Sequence, residues 1–529
     1  MESPEESRSP SRALWFGFAL LLTACFLARV SFIERTLPYS MHIDEASIGK
    51  SAARMIRNGD AHPHYFRYPT LPIYLTTGSF LLGRVLDGDT ESEVGSPEWP
   101  FYDRPAVVGT ARVLFALLSI GAMAFATLAG ARALREPLLL VLSPLILALS
   151  GVYLTQSWVY LNVDIVGAFV CTLAVWVMLR FRERDSLFHR ALLPGLLTGL
   201  AVGSKFYLGL VGLPFAMLLF EQRFRPQLLR NLAVITAMTV LGFLLSTPYA
   251  VLDHEAFWSG LMSEVEHYGK SNPGRDRAGA AGLPQLIHYF EVLRSEFGLG
   301  LLTFAALGLG VGLARLRRET LLLVAFPLAL FAFLCTQRVN YPRNLTTILA
   351  LLPAFAGFGL VVAARALAER SSALLGKNAS VVSSLSVATL CLTLLPWKTT
   401  ADAYSIPTDS RTRLTSWINA QVRPETRLYI ARELLIDLRQ VDRKFDITVA
   451  PLEKLLAPDM SDAYAGQDAL FVVPTYERGT RLAATFAKLL KPVNSMRELE
   501  RWGRIAVRLD RDKNIHLGDP SLAVYEIAE

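Results

Sequence analysis

Polar and apolar positions segregate along this chain into long blocks. Uncharged, mostly apolar stretches run through Ala13–Ala28, Val113–Ala131, Pro137–Val163, Ile165–Leu179, Asn231–Leu252, Gly298–Ala314, Thr320–Gln337, Asn344–Ala364 and Asn378–Trp397. A helix needs about 20 apolar residues to cross a hydrocarbon core ~30 Å thick, at ~1.5 Å per residue. Most of the blocks reach that length once side chains at their ends extend toward headgroups. A helix of a soluble core would show a polar face, and these do not. The pattern predicts a polytopic α-helical membrane protein.

The block Ala191–Phe220 is too long for one ordinary span and is interrupted by Gly203, Ser204 and Lys205. Arg180, Arg182, Arg184 and Arg190 precede it, and Arg223, Arg225 and Arg230 follow it. Lys and Arg mark cytoplasmic loops. Both flanks are therefore read as cytoplasmic, and the block as a hairpin of two short helices with Lys205 at its turn region, deep or toward the cytoplasm. Arg132 with Arg135, Arg315 with Arg317 and Arg318, and Arg365 with Arg370 and Lys377 fall on the same side. About eleven spans result, with the N-terminus cytoplasmic and the C-terminus extracytoplasmic. Tyr68–Leu86, with Pro69, Pro72, Gly78 and Arg84, is read as a helix lying in the interface. The first block is read as an uncleaved anchor, because Glu2, Glu5 and Glu6 make the preceding segment too acidic for a signal peptide.

Composition agrees. Of 529 residues, 52% are hydrophobic and only 19% charged, where ordinary soluble domains carry about 25% charge. This excludes a disordered or disulfide-stapled chain. The net charge of +7 follows the basic loops and is not a nucleic-acid footprint. All four cysteines (Cys25, Cys171, Cys335, Cys391) lie in predicted spans, as small apolar fillers. The expected division is a transmembrane region 1–398, with outer loops 34–105 and 251–297, and a soluble extracytoplasmic α/β domain 399–529. In the latter, Thr415–Val422 and Thr480–Leu490 read as helices, and Arg427–Ala431, Ala469–Pro474 and Leu522–Ile527 as strands.

The most suggestive chemistry is Asp44-Glu45, a few residues after the first block. One carboxylate can accept a proton from an attacking hydroxyl while its neighbour binds metal or substrate. The plainer account is a solvated helix N-terminus, where acids complement the dipole. Six of the eight histidines fall on the outer side, and His42, His62 and His64 could join Asp44 or Glu45 around a divalent metal; their spacing is not diagnostic. Asp164 begins a span, where a carboxylate is either functional or, with Asn162, a helix cap. Arg343, in Arg338-Val339-Asn340-Tyr341-Pro342-Arg343, opens another span and suits bidentate phosphate recognition or snorkelling.

Several of these pieces together resemble the GT-C superfamily of polytopic glycosyltransferases, in the branch of protein O-mannosyltransferases and the lipid A aminoarabinose transferase. The resemblance rests on His42-Ile43-Asp44-Glu45-Ala46, Asn58-Gly59-Asp60, Phe66-Arg67-Tyr68-Pro69-Thr70-Leu71-Pro72-Ile73-Tyr74-Leu75, Gly199–Phe206, Thr247-Pro248-Tyr249 and Tyr341-Pro342-Arg343-Asn344, and covers residues 13–400. It implies a sugar donor on a polyprenyl phosphate, an active site on the outer face of the inner membrane, and a protein, lipid or glycan acceptor. It implies Asp44 as base, with Glu45 beside it, and Asp164 as the second acidic position. Arg343, with Lys205 and Arg67, would meet the donor phosphate. Where some relatives carry an acidic-basic pair before the proline motif, this chain has Arg67-Tyr68, which puts a metal site built on that carboxylate in doubt. The expected activity is inverting hexosyl or pentosyl transfer to an acceptor hydroxyl. The rival is a multi-span transporter or flippase, against which the lack of two related halves counts.

Overall fold

Runs with no polar face become helices that can meet lipid or another helix on any side. The computed structural model of this protein describes residues 10–40, 42–88, 104–157, 161–184, 186–220, 227–270, 280–375, 382, 386, 389–390, 393–394, 397, 408–474, 486–493 and 522–527. Among the described residues, seven helical stretches are long and apolar enough to cross a membrane: Arg12–Thr36, Pro105–Ala133, Val163–Phe181, Leu228–Ser246, Leu283–Arg315, Arg317–Thr336 and Pro342–Arg370. Leu139–Ala148 and Phe206–Leu219 are shorter apolar helices. The chain is an integral membrane protein, mostly helical, with a C-terminal sheet. Most of the block Asn378–Trp397 lies outside the described residues.

The helices used below are α1 (Arg12–Val30), α2 (Ile43–Asn58), α3 (Leu71–Asp87), α4 (Pro105–Ala133), α5 (Leu139–Ala148), α6 (Gly151–Thr155), α7 (Val163–Phe181), α8 (Leu193–Ser204), α9 (Gly212–Leu219), α10 (Leu228–Ser246), α11 (Tyr249–Leu252), α12 (His254–Gly269), α13 (Leu283–Arg315), α14 (Arg317–Thr336) and α15 (Thr346–Leu375). Packing divides the chain into two units. One comprises Met1–Ser31, Asn58–Ser79 and Ala111–Tyr404; the other comprises Phe32–Arg57, Phe80–Thr110 and Ser405–Glu529.

The first unit is built around α7, which is buried along most of its length and packs on α8 and α15. Its core continues through Leu301, Phe326, Leu330, Leu349 and Phe355. Small residues set the closest approaches. A Cβ at Gly199 would sit 2.2 Å from the Thr239 carbonyl oxygen, and one at Gly203 would sit 1.9 Å from Ser246 Oγ. With Gly195, these residues form a stripe, one helical turn apart, along which α8 meets α10 almost backbone to backbone. Beyond α8 the chain turns at Lys205, whose backbone is extended (φ −158°, ψ 127°). It then doubles back, with Gly209 facing Val202 and Gly212 facing Thr198. The interruption expected in Ala191–Phe220 is thus a helical hairpin.

Two buried charged side chains of this unit are held by hydrogen bonds. Arg29, fully buried, donates Nε to Ser157 Oγ (3.0 Å) and Nη1 to the Cys25 carbonyl (2.9 Å). The carboxylate of Glu296 accepts from Ser150 Oγ (2.7 Å) and Val152 N (2.8 Å), so it satisfies the first turn of α6. Two residues later α13 kinks at Gly298, whose φ of 68° a larger side chain would strain.

The second unit holds a five-stranded sheet: β1 (Arg427–Ala431), β2 (Ile447–Ala450), β3 (Ala469–Pro474), β4 (Leu490–Pro492) and β5 (Leu522–Ile527), in the order β2-β1-β3-β5-β4. β1 runs parallel to β2 and β3, with Leu428 opposite Ile447 and Leu470. β5 runs antiparallel to β3 and β4, with Tyr525 opposite Phe471 and Pro492. β3 is buried along its whole length. Leu414 and Ile418, on the helix Ser410–Gln421, pack with Leu428, Ile430 and Phe471 in the core. Three strands have the bounds read from sequence. The helix read at Thr415–Val422 begins five residues earlier. Most of Thr480–Leu490 lies outside the described residues, and β2 and β4 were not anticipated. The unit also draws in Tyr39. Its hydroxyl accepts from Asp437 N (2.9 Å), and its ring lies under the Arg411 guanidinium (3.8 Å), itself bidentate on Asp409.

Candidate active site

Asp164 stands in the first turn of α7 because Asn162 caps that helix: Asn162 Oδ1 accepts from Asp164 N at 2.6 Å. The Asp164 side chain is therefore released from capping. Its Oδ1 lies 2.6 Å from Lys205 Nζ, and its Oδ2 lies 3.8 Å from Arg343 Nε. Lys205 also donates to Asn344 Oδ1 (3.1 Å). Tyr207 and Tyr268 offer their hydroxyls to the same oxygen, each at 3.4 Å, and Asn344 Nδ2 donates to Tyr289 (3.4 Å). Arg343 stacks on Tyr341, 4.1 Å from the ring centre. Asp164, Lys205 and Asn344 are buried, while Arg343 keeps 12% of its side chain exposed.

The position of Lys205 differs from expectation. The hairpin turn carries it to the Asp164 end of α7, not away from it, because the extended residue at the end of α8 aims the ammonium across to the carboxylate. One carboxylate and two cations leave a positive charge in excess at a buried polar cluster. Such a cluster is suited to receive an anion. Burial raises the Tyr268 phenol above its ordinary value, so it stays a protonated donor.

A second polar junction forms around the proline motif. Thr70 Oγ1 donates to the Ser246 carbonyl (2.7 Å), and Thr247 Oγ1 accepts from Thr70 N (3.3 Å). Phe66–Leu75 is thereby tied to Thr247-Pro248-Tyr249, and through Ser246 to the glycine stripe of α8. Arg67 is half exposed and pairs loosely with Glu264 of α12 (4.0 Å). His62 Nε2 lies 2.8 Å from Asp253 Oδ2, and His64 Nε2 lies 3.5 Å from Asp60 Oδ2. The hydrogen bond from His62 holds the Asp253 carboxyl below its usual range, and the His62 backbone N–H does the same for Asp60.

In the other unit, His42 Nδ1 accepts from Asp44 N at 3.1 Å, at the start of α2. Asp44 (3% exposed) and Glu45 (0%) are buried, so this first turn is not a solvated helix end. Among the described residues, no group of three or more His, Cys, Asp or Glu side chains is arranged to hold a metal ion. The histidines considered for that role are engaged in the separate contacts above.

The cluster draws on α7, the α8–α9 hairpin, α12, α13 and the segment before α15. Sequence reasoning singled out Asp164, Lys205 and Arg343. It quoted Asn344 only within a motif and overlooked Tyr207, Tyr268 and Tyr289. These lie on separate elements, so no spacing links them.

Residues 20–251, less than half of the chain, match the family model described as dolichyl-phosphate-mannose-protein mannosyltransferase. The matched region, which carries Asp44, Asp164 and Lys205, is similar to that family. Among solved structures, the chain is similar to ArnT from Cupriavidus metallidurans bound to undecaprenyl phosphate, at 15% identity over 96% of this chain and 98% of that one (TM-score 0.49). It is also similar to the oligosaccharyltransferase AglB from Archaeoglobus fulgidus in complex with an inhibitory peptide and a dolichol-phosphate, at 12% identity over 98% and 89% (TM-score 0.48). Comparison with curated proteins gives no match.

Proposed function

We propose that the protein transfers a sugar from a polyprenyl-phosphate donor to an acceptor hydroxyl, with inversion, on the extracytoplasmic face of the inner membrane. The carrying observation is the cationic cluster of Lys205 and Arg343 around Asp164 and Asn344, in a chain whose matched family is described by a lipid-phosphate sugar donor. ArnT and AglB structures with a polyprenyl or dolichyl phosphate accord with that donor class. A protein, a lipid or a glycan would supply the hydroxyl.

In this reading Asp44 takes the acceptor proton as the oxygen attacks the anomeric carbon, and Glu45 orients the acceptor. Polyprenyl phosphate leaves from the opposite face of the sugar. Phosphate is a competent leaving group, so the acid that a glycosidase supplies to its leaving oxygen is not needed. Arg343 meets the charge that develops on the departing phosphate. Asp164 fixes the ammonium of Lys205 and moderates its charge, and Arg67 extends the cationic surface. Residues 1–398, with about eleven spans, would form the catalytic region, and 399–529 an extracytoplasmic domain. The test is transfer from labelled polyprenyl-phosphate sugars in membranes, with wild type beside Asp44→Asn at matched expression. Transfer by wild type and its loss in the variant, by a factor of about 10²–10⁴, is the expected result. Equal transfer by both would remove Asp44 as base.

A further inference from the structure

Arg180 lies at the opposite end of α7 from Asp164, sixteen residues or about 24 Å along the helix. There α1, α4, α5, α7 and α14 line a partly open cavity of about 540 Å³, of the size that holds small-molecule ligands. Four arginines line it: Arg132, Arg135, Arg180 and Arg182, with Glu319 the one acid among its lining residues. Glu319 is shared by Arg135 (3.0 Å) and Arg182 (2.9 Å). Arg132 donates Nε to the Leu179 carbonyl (2.7 Å), and Arg180 lies over the Phe181 ring. Neither has a carboxylate within ion-pair distance among the described residues. Trp15 and Trp176 form the apolar wall, and Trp15 is 45% exposed. Tryptophan beside arginine at the end of a span is the composition of a headgroup-level site.

We propose that this cavity binds an anionic phospholipid, with the phosphate held by Arg132 and Arg180 and the upper acyl chain against Trp15 and Trp176. The excess of three positive charges favours a headgroup that is anionic overall, and excludes a zwitterionic lipid from equal binding. Basic pockets between spans recognise anionic headgroups in this manner. The open apolar side at Trp15 admits a tail, which a soluble phosphate does not need. The site is independent of sugar transfer and does not rest on the proposed reaction.

The experiment is native mass spectrometry of the full chain in neutral detergent, with phosphatidylglycerol or phosphatidylcholine of matched acyl chains added at equal concentration. Wild type is expected to retain phosphatidylglycerol preferentially. The double variant Arg132→Gln/Arg180→Gln is expected to bind it about 25-fold more weakly, since each basic side chain at an anionic surface contributes a factor of about five. Glu319→Gln, which relieves Arg135 and Arg182 of their carboxylate, is expected to strengthen retention. Equal retention of both lipids by wild type would overturn the proposal, whether or not the double variant folds. So would a preference unchanged in a double variant whose thermal unfolding matches wild type. Displacement by millimolar inorganic phosphate would reassign the cavity to a soluble phosphate and overturn it as well.

Discussion

Lys205 Nζ lies 2.6 Å from Asp164 Oδ1, although 41 residues separate them and both are buried. A buried ion pair has a large desolvation cost, and removing one partner strands the other charge. Asp164→Ala is expected to destabilise the protein by about 3–5 kcal/mol. Adding Lys205→Met to Asp164→Ala is expected to restore much of that loss. Thermal unfolding of the four members of the double-mutant cycle checks it, and additive losses would show the two residues to be uncoupled.

Arg343 is expected to act on the donor, with little part in the fold. Arg343→Gln removes a charged hydrogen-bond donor of about 1.5–3 kcal/mol, which corresponds to a loss of roughly 10–150-fold in kcat/KM for the polyprenyl-phosphate sugar. Arg343→Lys keeps the charge and loses the planar fork, so its loss is expected to be smaller. Steady-state kinetics against donor concentration, at fixed acceptor, measures both.

The glycine stripe makes a steric prediction with an internal control. Gly199→Ala drives a Cβ into the Thr239 carbonyl and is expected to cost about 1–3 kcal/mol, as overpacking does. Gly310→Ala, on α13, meets nothing within 4 Å and is expected to be neutral or to stabilise by about 0.5–1 kcal/mol. Melting temperatures in one detergent would separate them.

Alkaline stability of the unit that carries the sheet is expected to depend on Tyr39. Burial raises its phenol well above the ordinary value, with the nearby Arg411 opposing. The folded state thus holds a proton that the unfolded chain releases above about pH 10. The stability this contributes is complete below that value and is lost as pH rises toward the raised folded value. Unfolding between pH 9 and 11, followed through the sheet's signal, is expected to show a downward slope that Tyr39→Phe lessens.

The apolar blocks were legible because bilayer thickness dictates their length, and the hairpin because Gly203, Ser204 and Lys205 broke a run too long for one span. The strands Arg427–Ala431 and Ala469–Pro474 were legible because short apolar runs between polar turns leave few alternatives. The partner of Lys205 was not, because three separate elements bring Asp164, Lys205 and Asn344 together. Nor was the burial of Asp44 and Glu45, since acids in a first turn have the same sequence signature whether wet or dry. The bond between Tyr39 and Asp437 spans 398 residues, so nothing local announces that Phe32–Arg57 packs with the C-terminal sheet.

The seam between α8 and α10 has an evolutionary consequence. A contact this close, made largely of backbone atoms and the short side chain of Ser246, leaves little through which small volume changes can be absorbed. Drift at Gly195, Gly199 and Gly203 is therefore confined to residues that add almost no bulk, and the placement of Lys205 is inherited with the seam. Innovation in what the site recognises must enter elsewhere, at side chains that lie outside the seam.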